Sequence, residues 1–186
     1  MIAPIDVTNI RLETPRLIIR AWEESDLEDF YEYARVDGVG QRAGWKPHES
    51  IEVSKEILAG FIAGKKTFAL QLKDSGKVIG SLGLEAREDG ISIPESMQGR
   101  EVGYVLSKDY WGNGFMPEAV NAVAKYCFDA LSYDYLTCGH FLNNQQSRRV
   151  IEKCGFTYVT TVDYTTRMGT HEQTMMYVLY NPNRKR

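Results

Sequence analysis

Two glycines, Gly112 and Gly114, stand in the run Tyr110-Trp-Gly-Asn-Gly-Phe-Met-Pro-Glu-Ala119, between a stretch that reads as a strand and one that reads as a helix. A helix start leaves its first N–H groups without partners. Glycine lets the main chain come close to a ligand, and the helix dipole favours an anion. The chemistry this spacing offers is phosphate binding by bare amides, although an ordinary glycine turn before a core helix has the same pattern. Pro117 has no N–H to lose and suits the first helical position, and Glu118 suits the first turn. No Gly-Lys-Ser/Thr follows, as a P-loop requires, and the third glycine of a dinucleotide fingerprint is missing.

Other residue types with chemical potential are scattered. Cys127, Cys138 and Cys154 are far apart with no C-x-x-C, so neither a disulfide framework nor a zinc site is expected. His48, His140 and His171 lack metal-ligand spacing. Cys154 follows an apolar helix face and precedes Gly155, which fits a buried thiol rather than a nucleophile. The formal charge of −3 argues against a general nucleic-acid binder, which needs a basic surface to displace counterions. No window approaches membrane-spanning length and no basic-then-apolar leader opens the chain, so the expectation is a cytoplasmic protein with no membrane partner.

The elements that position the glycine turn follow from periodicity. Residues 101–107 read as the strand before it. Ala119, Val120, Val123, Ala124, Cys127, Phe128 and Leu131 give the following helix one apolar face. Upstream, residues 16–21 read as a strand. Ser25-Asp-Leu-Glu28 reads as a capping box, opening a helix with Leu27, Phe30, Tyr31 and Ala34 on its apolar side. A loop with Trp45 leads to a second helix over 50–62. Strands at 67–72 and 77–84 are joined by Asp74-Ser75-Gly76, and residues 86–100 make a surface excursion. Downstream come a strand at 135–141, a short helix at 144–154 with Gly155 as its C-cap, and strands at 158–162 and 174–180. Residues 1–13 show no strong pattern. The order predicts an α+β (mixed α/β) layer fold. At 186 residues it forms a single domain over 1–186, with 1–11 as an N-terminal extension and 181–186 as a basic tail.

A second informative stretch is Asn144-Gln-Gln-Ser147-Arg-Arg-Val-Ile-Glu-Lys-Cys-Gly155-Phe156. Together with Trp111-Gly-Asn-Gly114-Phe-Met116 it resembles the GNAT superfamily of acyl-CoA-dependent N-acetyltransferases. Within that superfamily it looks most like the branch of the ribosomal-protein N-terminal (alanine) acetyltransferases. Leu12-Glu-Thr-Pro-Arg-Leu-Ile-Ile-Arg20 and Glu101-Val-Gly103-Tyr104 match that branch in the same order, so the resemblance runs from about residue 11 to residue 180. Trp111 replaces the usual Gln or Arg, and Met116 a small residue. The loop works through main-chain amides, so neither change removes its means of binding. The resemblance implies a central mixed, mostly antiparallel sheet of six to seven strands with helices on both faces. It also implies acetyl-CoA as cosubstrate, no metal, and a monomer or homodimer.

What the resemblance implies for residues is specific. The amides of Gly112, Asn113, Gly114, Phe115 and Met116 would cradle the coenzyme pyrophosphate. Tyr104, Val105 and Leu106 would pair their backbone with the pantetheine arm, as an added strand might, and donors near Val105 would polarise the thioester carbonyl. Asn144, by itself a favoured helix N-cap, would also contact the pantetheine or pyrophosphate region. Ser147, by itself an unremarked first-turn residue, would protonate the leaving thiolate, with Tyr110 as the other candidate. An amine near pH 7 is mostly protonated and needs a base. Glu101 is that base by resemblance and an exposed strand-end carboxylate otherwise; Glu85 competes for the role. Trp45 would line the acceptor cleft, while Arg148 and Arg149 could meet the ribose 3′-phosphate. The expected activity is acetyl transfer from acetyl-CoA to a primary amine, either a protein N-terminal amine or a small-molecule amine. It would proceed by direct attack in a ternary complex, since no activated Cys or Ser is apparent. The alternative is a non-catalytic acyl-CoA-binding sensor module of the same fold.

Overall fold

Apolar residues dominate both Leu17–Ala21 and Thr67–Leu72, as strands covered on both faces require. In a computed structural model, which describes residues 1–86 and 90–184, these strands are two of eight in one sheet. The elements are β1 (Arg11–Glu13), β2 (Leu17–Ala21), α1 (Leu27–Ala34), α2 (Ile51–Gly64), β3 (Thr67–Leu72), β4 (Val78–Glu85), β5 (Gly99–Leu106), α3 (Phe115–Asp129), β6 (Tyr135–Phe141), α4 (Gln145–Lys153), β7 (Thr157–Thr165) and β8 (His171–Tyr180). Spatial order is β1-β2-β3-β4-β5-β6-β8-β7. Every pair is antiparallel except β5 with β6. Part of the excursion expected over 86–100 falls outside the described residues.

The sheet is mixed and mostly antiparallel, as expected, but has eight strands rather than six or seven. The extra one is β1, paired through Arg11↔Arg20 and Glu13↔Ile18, and three residues are too few to show a period. The chain before it packs closely as well. Ala3 and Val7 are buried, and the Arg100 side chain donates to the Ala3 carbonyl at 2.6 Å. The start of α1 also differs. A short 3-10 turn over Glu24–Asp26 precedes it, with the capping box made by Glu23 and Asp26 rather than Ser25 and Glu28. Asp26 takes that role because Arg20 holds its carboxylate with two 2.8 Å hydrogen bonds.

Helices cover both faces. On one, α3 buries Ala119, Val120, Val123, Ala124, Cys127 and Phe128 against Leu70, Leu82, Val102 and Leu136. On the other, α1 and α2 bury Phe30, Tyr33, Ala34 and Leu58 against Ala69 and Val78. No helix among the described residues is long and apolar enough to cross a membrane.

One feature of the sheet makes the site. β5 and β6 pair only from Gly99↔Tyr135 to Val102↔Cys138. Beyond that, Gly103–Leu106 pair with β4 alone and Gly139–Phe141 with β8 alone. The two parallel strands therefore diverge and open a cleft through the middle of the sheet.

Candidate active site

The glycine turn closes one end of this cleft. Gly112 and Gly114 both have φ near +78°, the left-handed region where a side chain is strained. Gly114 is the N-cap of α3, so Phe115 is the first helical residue and Pro117 the third, not the first as expected. Pro117 still falls in the opening turn, where a missing N–H costs nothing. Glu118 accepts from Thr14 Oγ1 at 2.6 Å, from Arg16 N at 2.9 Å and from Arg16 Nε at 2.7 Å. Burial opposes the Glu118 charge, yet these donors together hold its carboxyl below the ordinary glutamate value. The same Arg16 donates through Nη1 to the Asn113 carbonyl at 2.9 Å and stacks 4.0 Å above the Phe115 ring. The Leu12–Arg20 phrase thus braces the turn, a contact that sequence separation concealed.

The cleft is a cavity of about 910 Å³. Of the site residues expected from sequence, Glu101, Tyr104, Val105, Leu106, Gly112, Gly114, Phe115, Met116, Asn144 and Ser147 line it, and Asn113 does not. Asn113 turns its side chain back to the Trp111 carbonyl at 3.1 Å. The three strand residues are not equivalent. Ser107 N–H donates to Ile79 O at 2.8 Å, and the Val105 carbonyl lies 2.5 Å from where a Gly80 Cβ would sit. Those residues direct their main chain at β4, so by alternation Tyr104 and Leu106 direct theirs into the cleft. The Leu106 carbonyl accepts the Trp111 indole N–H at 2.8 Å.

Alternation also sorts the side chains. Tyr104 and Leu106 pack with the α3 core, while Val105 packs with the α1–α2 core. Glu101, four residues before Val105, belongs to the Val105 face, in register with Glu85 across the β4–β5 ladder. Glu85 is ion-paired with Lys66. Ser147 lies on the opposite side: its N–H donates to Asn144 Oδ1 at 3.2 Å, and its Oγ is 2.8 Å from the Tyr104 hydroxyl. Asn144 is the expected cap of α4. Its side chain also meets Arg42, donating to the Arg42 carbonyl at 3.3 Å and accepting from Nη1 at 3.4 Å. The Arg42 guanidinium lies 5.1 Å from the Trp111 ring, so it spans the cleft. Sequence reasoning missed Arg42 because nothing marks an arginine in a loop.

Other expected residues fall differently. Trp45 does not line the cavity; it fills the space beside Gly40, where an added Cβ would lie 2.3 Å from the indole, and packs on His48 at 5.1 Å. Apolar packing has taken it into the second core. Arg148 is engaged by Glu152 at 2.8 Å, whereas Arg149 lines the cavity. Cys154 is buried, and burial pushes its thiol up to about 11; burial likewise pushes Cys127 up to about 12. Neither offers a ready thiolate. Among the described residues no group of three or more His, Cys, Asp and Glu side chains could hold a metal.

Residues 16–157 match the acetyltransferase (GNAT) domain family. An uncharacterised N-acetyltransferase of Bacillus subtilis is 28% identical over 177 residues, covering 92% of this chain and 97% of the relative. Two solved structures share the fold at lower identity. A GNAT-family acetyltransferase from Bacillus anthracis superposes with a TM-score of 0.80 at 20% identity, over 92% of this chain and 99% of its own. The ribosomal-protein-S5-alanine acetyltransferase from Vibrio fischeri gives 0.72 at 22% identity, over 96% and 100%. With the split sheet and the glycine turn at its end, the match over residues 16–157 establishes that this chain belongs to the GNAT acetyltransferase family.

Proposed function

We propose that the protein transfers an acetyl group from acetyl-CoA to a primary amine by direct attack. The observation that carries this reading is the divergence of β5 from β6 beyond Val102 and Cys138, which opens one cavity to the glycine turn, to Ser147 and to Glu101. The coenzyme diphosphate rests on the amides of Gly112, Asn113, Gly114, Phe115 and Met116 at the start of α3. The pantetheine arm runs between the strands and pairs with the cleft-facing main chain of Tyr104 and Leu106, as an added strand does. Asn144 borders the same path. The thioester then lies at the level where Ser147 and the Glu101 face approach from opposite sides of the sheet.

The acceptor enters from the α1–α2 side. Glu101 takes its proton, directly or through a water, which frees the nitrogen lone pair to attack the thioester carbonyl. Buried, protonated thiols at Cys127 and Cys154 favour one-step transfer over an acyl-enzyme.

The fold neighbour from Vibrio fischeri is named for an alanine of a ribosomal protein. That name favours a peptide N-terminal amine as acceptor, with small-molecule amines as the competing class. An α-amino group, with a pKa of about 7.7–8.0, also costs less to deprotonate than a lysine side chain at about 10.4. Titration calorimetry with acetyl-CoA, followed by thiol release against N-terminal alanine peptides and small amines, tests the reading. Tight binding with release on at least one amine is expected. Binding without release on any amine would mark an acyl-CoA sensor, and absence of binding would remove the proposal altogether.

A further inference from the structure

The Tyr104 hydroxyl meets Ser147 twice, at 2.8 Å from Oγ and 3.2 Å from the carbonyl oxygen. The tyrosine ring packs against the main core on the α3 side, and Ser147 is anchored by its own N–H on Asn144. Burial, with Cys138 alongside, pushes the phenol well above its ordinary value, so it stays neutral and acts only through hydrogen bonds. Apart from its contact with Cys138, the O–H faces two acceptors on one residue and so has two settings toward Ser147. Turned to the carbonyl, it leaves the phenol oxygen to accept from Ser147 Oγ–H. Turned to Oγ, it releases the serine O–H into the cavity that Ser147 lines.

We propose that Tyr104 is a positioning residue: by donating to Ser147 Oγ, its hydroxyl turns the serine O–H onto the sulfur of a thioester held between β5 and β6. This rests on the acyl-CoA reading above. Acid strength sets the form of the step. A free phenol titrates near 10 and a thiol near 8.5, so Tyr104 is the weaker acid and does not surrender its proton for good. An aliphatic hydroxyl is weaker still. Once Glu101 has passed the ammonium proton on to solvent, the neutral acceptor nitrogen bonds to the carbonyl carbon, the C–S bond breaks with its electron pair going to sulfur, and the second nitrogen proton passes to Glu101. Sulfur is left as a thiolate that accepts the Ser147 hydrogen bond, strengthened by Tyr104 behind it. The thiolate takes a proton from solvent as coenzyme A departs. The pair stabilises the leaving group without being consumed.

Bound coenzyme A reports this without any acceptor. Its thiolate absorbs in the ultraviolet, so the thiol can be titrated in the complex after subtracting the coenzyme-free protein. In the wild-type complex it should ionise at lower pH than free coenzyme A. Tyr104→Phe should raise the midpoint by about one pH unit. Ser147→Ala should raise it at least as far, and the double variant no further than Ser147→Ala alone. Replacing Tyr104 with 3-fluorotyrosine keeps ring and hydroxyl but makes a stronger donor, and should lower the midpoint; it also serves should Tyr104→Phe fail to fold. A Tyr104→Phe midpoint equal to wild type, or a double variant with additive shifts, overturns the proposal alone. Failure of coenzyme A to bind the wild-type protein overturns the acyl-CoA reading and this proposal with it.

Discussion

Arg16 and Glu118 are 102 residues apart in sequence, yet Arg16 Nε lies 2.7 Å from Glu118 Oε2 and its Nη1 donates 2.9 Å to the Asn113 carbonyl. One guanidinium therefore ties the start of β2 to the first turn of α3 and to the loop between the two glycines. Its planar fork suits this double duty, which a lysine ammonium could not reproduce. The consequence is mechanical. On the proposed reading, the amides that take the diphosphate are held in place before it arrives.

Removing the brace should weaken coenzyme binding more than it weakens the fold. Arg16 is roughly half exposed, so the ion pair itself adds little to stability. Arg16→Ala should raise the Kd for acetyl-CoA about tenfold, the equivalent of one charge-assisted hydrogen bond lost from the loop's support. Arg16→Lys should recover only part of it. Calorimetry on both variants, with thermal melts alongside, gives the comparison; a large Tm loss with unchanged Kd would contradict it.

Glycines 103 and 114 should answer differently to alanine. Gly114 holds φ near +78°, so Gly114→Ala should cost about 1–2 kcal/mol in stability and distort the turn. Gly103 has nothing within 4 Å of an added Cβ and no positive φ, so Gly103→Ala should leave the melting temperature unchanged. Its new methyl group would stand on the Glu101 face, and any change should appear in the acceptor KM rather than in coenzyme binding. Denaturant unfolding and steady-state kinetics separate the two.

Local pattern was enough for most of the elements and for the glycine turn. Tyr135–Phe141 needed nothing beyond residue types, and Asn144 and Gly155 announced both ends of α4. On α1 the apolar stripe holds at Leu27, Phe30 and Ala34 and differs at one position: Tyr33 lies in the core, while Tyr31 is half-buried with Arg35 over its ring. Tyr31 and Tyr33 flank the Phe30–Ala34 line on opposite sides, so the spacing alone does not choose between them. The cleft was less accessible. Each strand shows its own alternation, but nothing in β5 or β6 states where two neighbours stop pairing. Faces could be assigned once the split was known, which is why Tyr104 entered through its backbone and its contact with Ser147 came only from the fold.

Glu101 and Glu85 sit opposite each other in register, so substitution separates a base from a bystander. Glu101→Gln should lower turnover at neutral pH by about a hundredfold or more, the usual contribution of a positioned base. Its residual rate should climb as pH approaches the acceptor amine's own pKa, because solvent then supplies the free amine. Glu85→Gln should stay within a few-fold of wild type. Pre-steady-state thiol release across a pH series would show it, and the assignment fails if the two variants exchange behaviour.

Glu118 gives a pH dependence of stability with a definite sign. Its folded carboxyl titrates below the ordinary value of 4.5, so the unfolded chain takes up the proton first as the solution is acidified. The stabilisation is therefore complete at neutral pH, begins to fade as pH falls through about 4.5, and is lost once the folded carboxyl is itself protonated. Glu118→Gln, which keeps the shape but has no charge to lose, should be less stable than wild type at neutral pH and should lose less on acidification. Denaturation midpoints measured for both proteins between neutral and acidic pH should converge toward the acid end. Parallel curves would mean that the contacts from Thr14 and Arg16 contribute nothing to the folded state through the charge, and that the brace on the glycine turn does not depend on it.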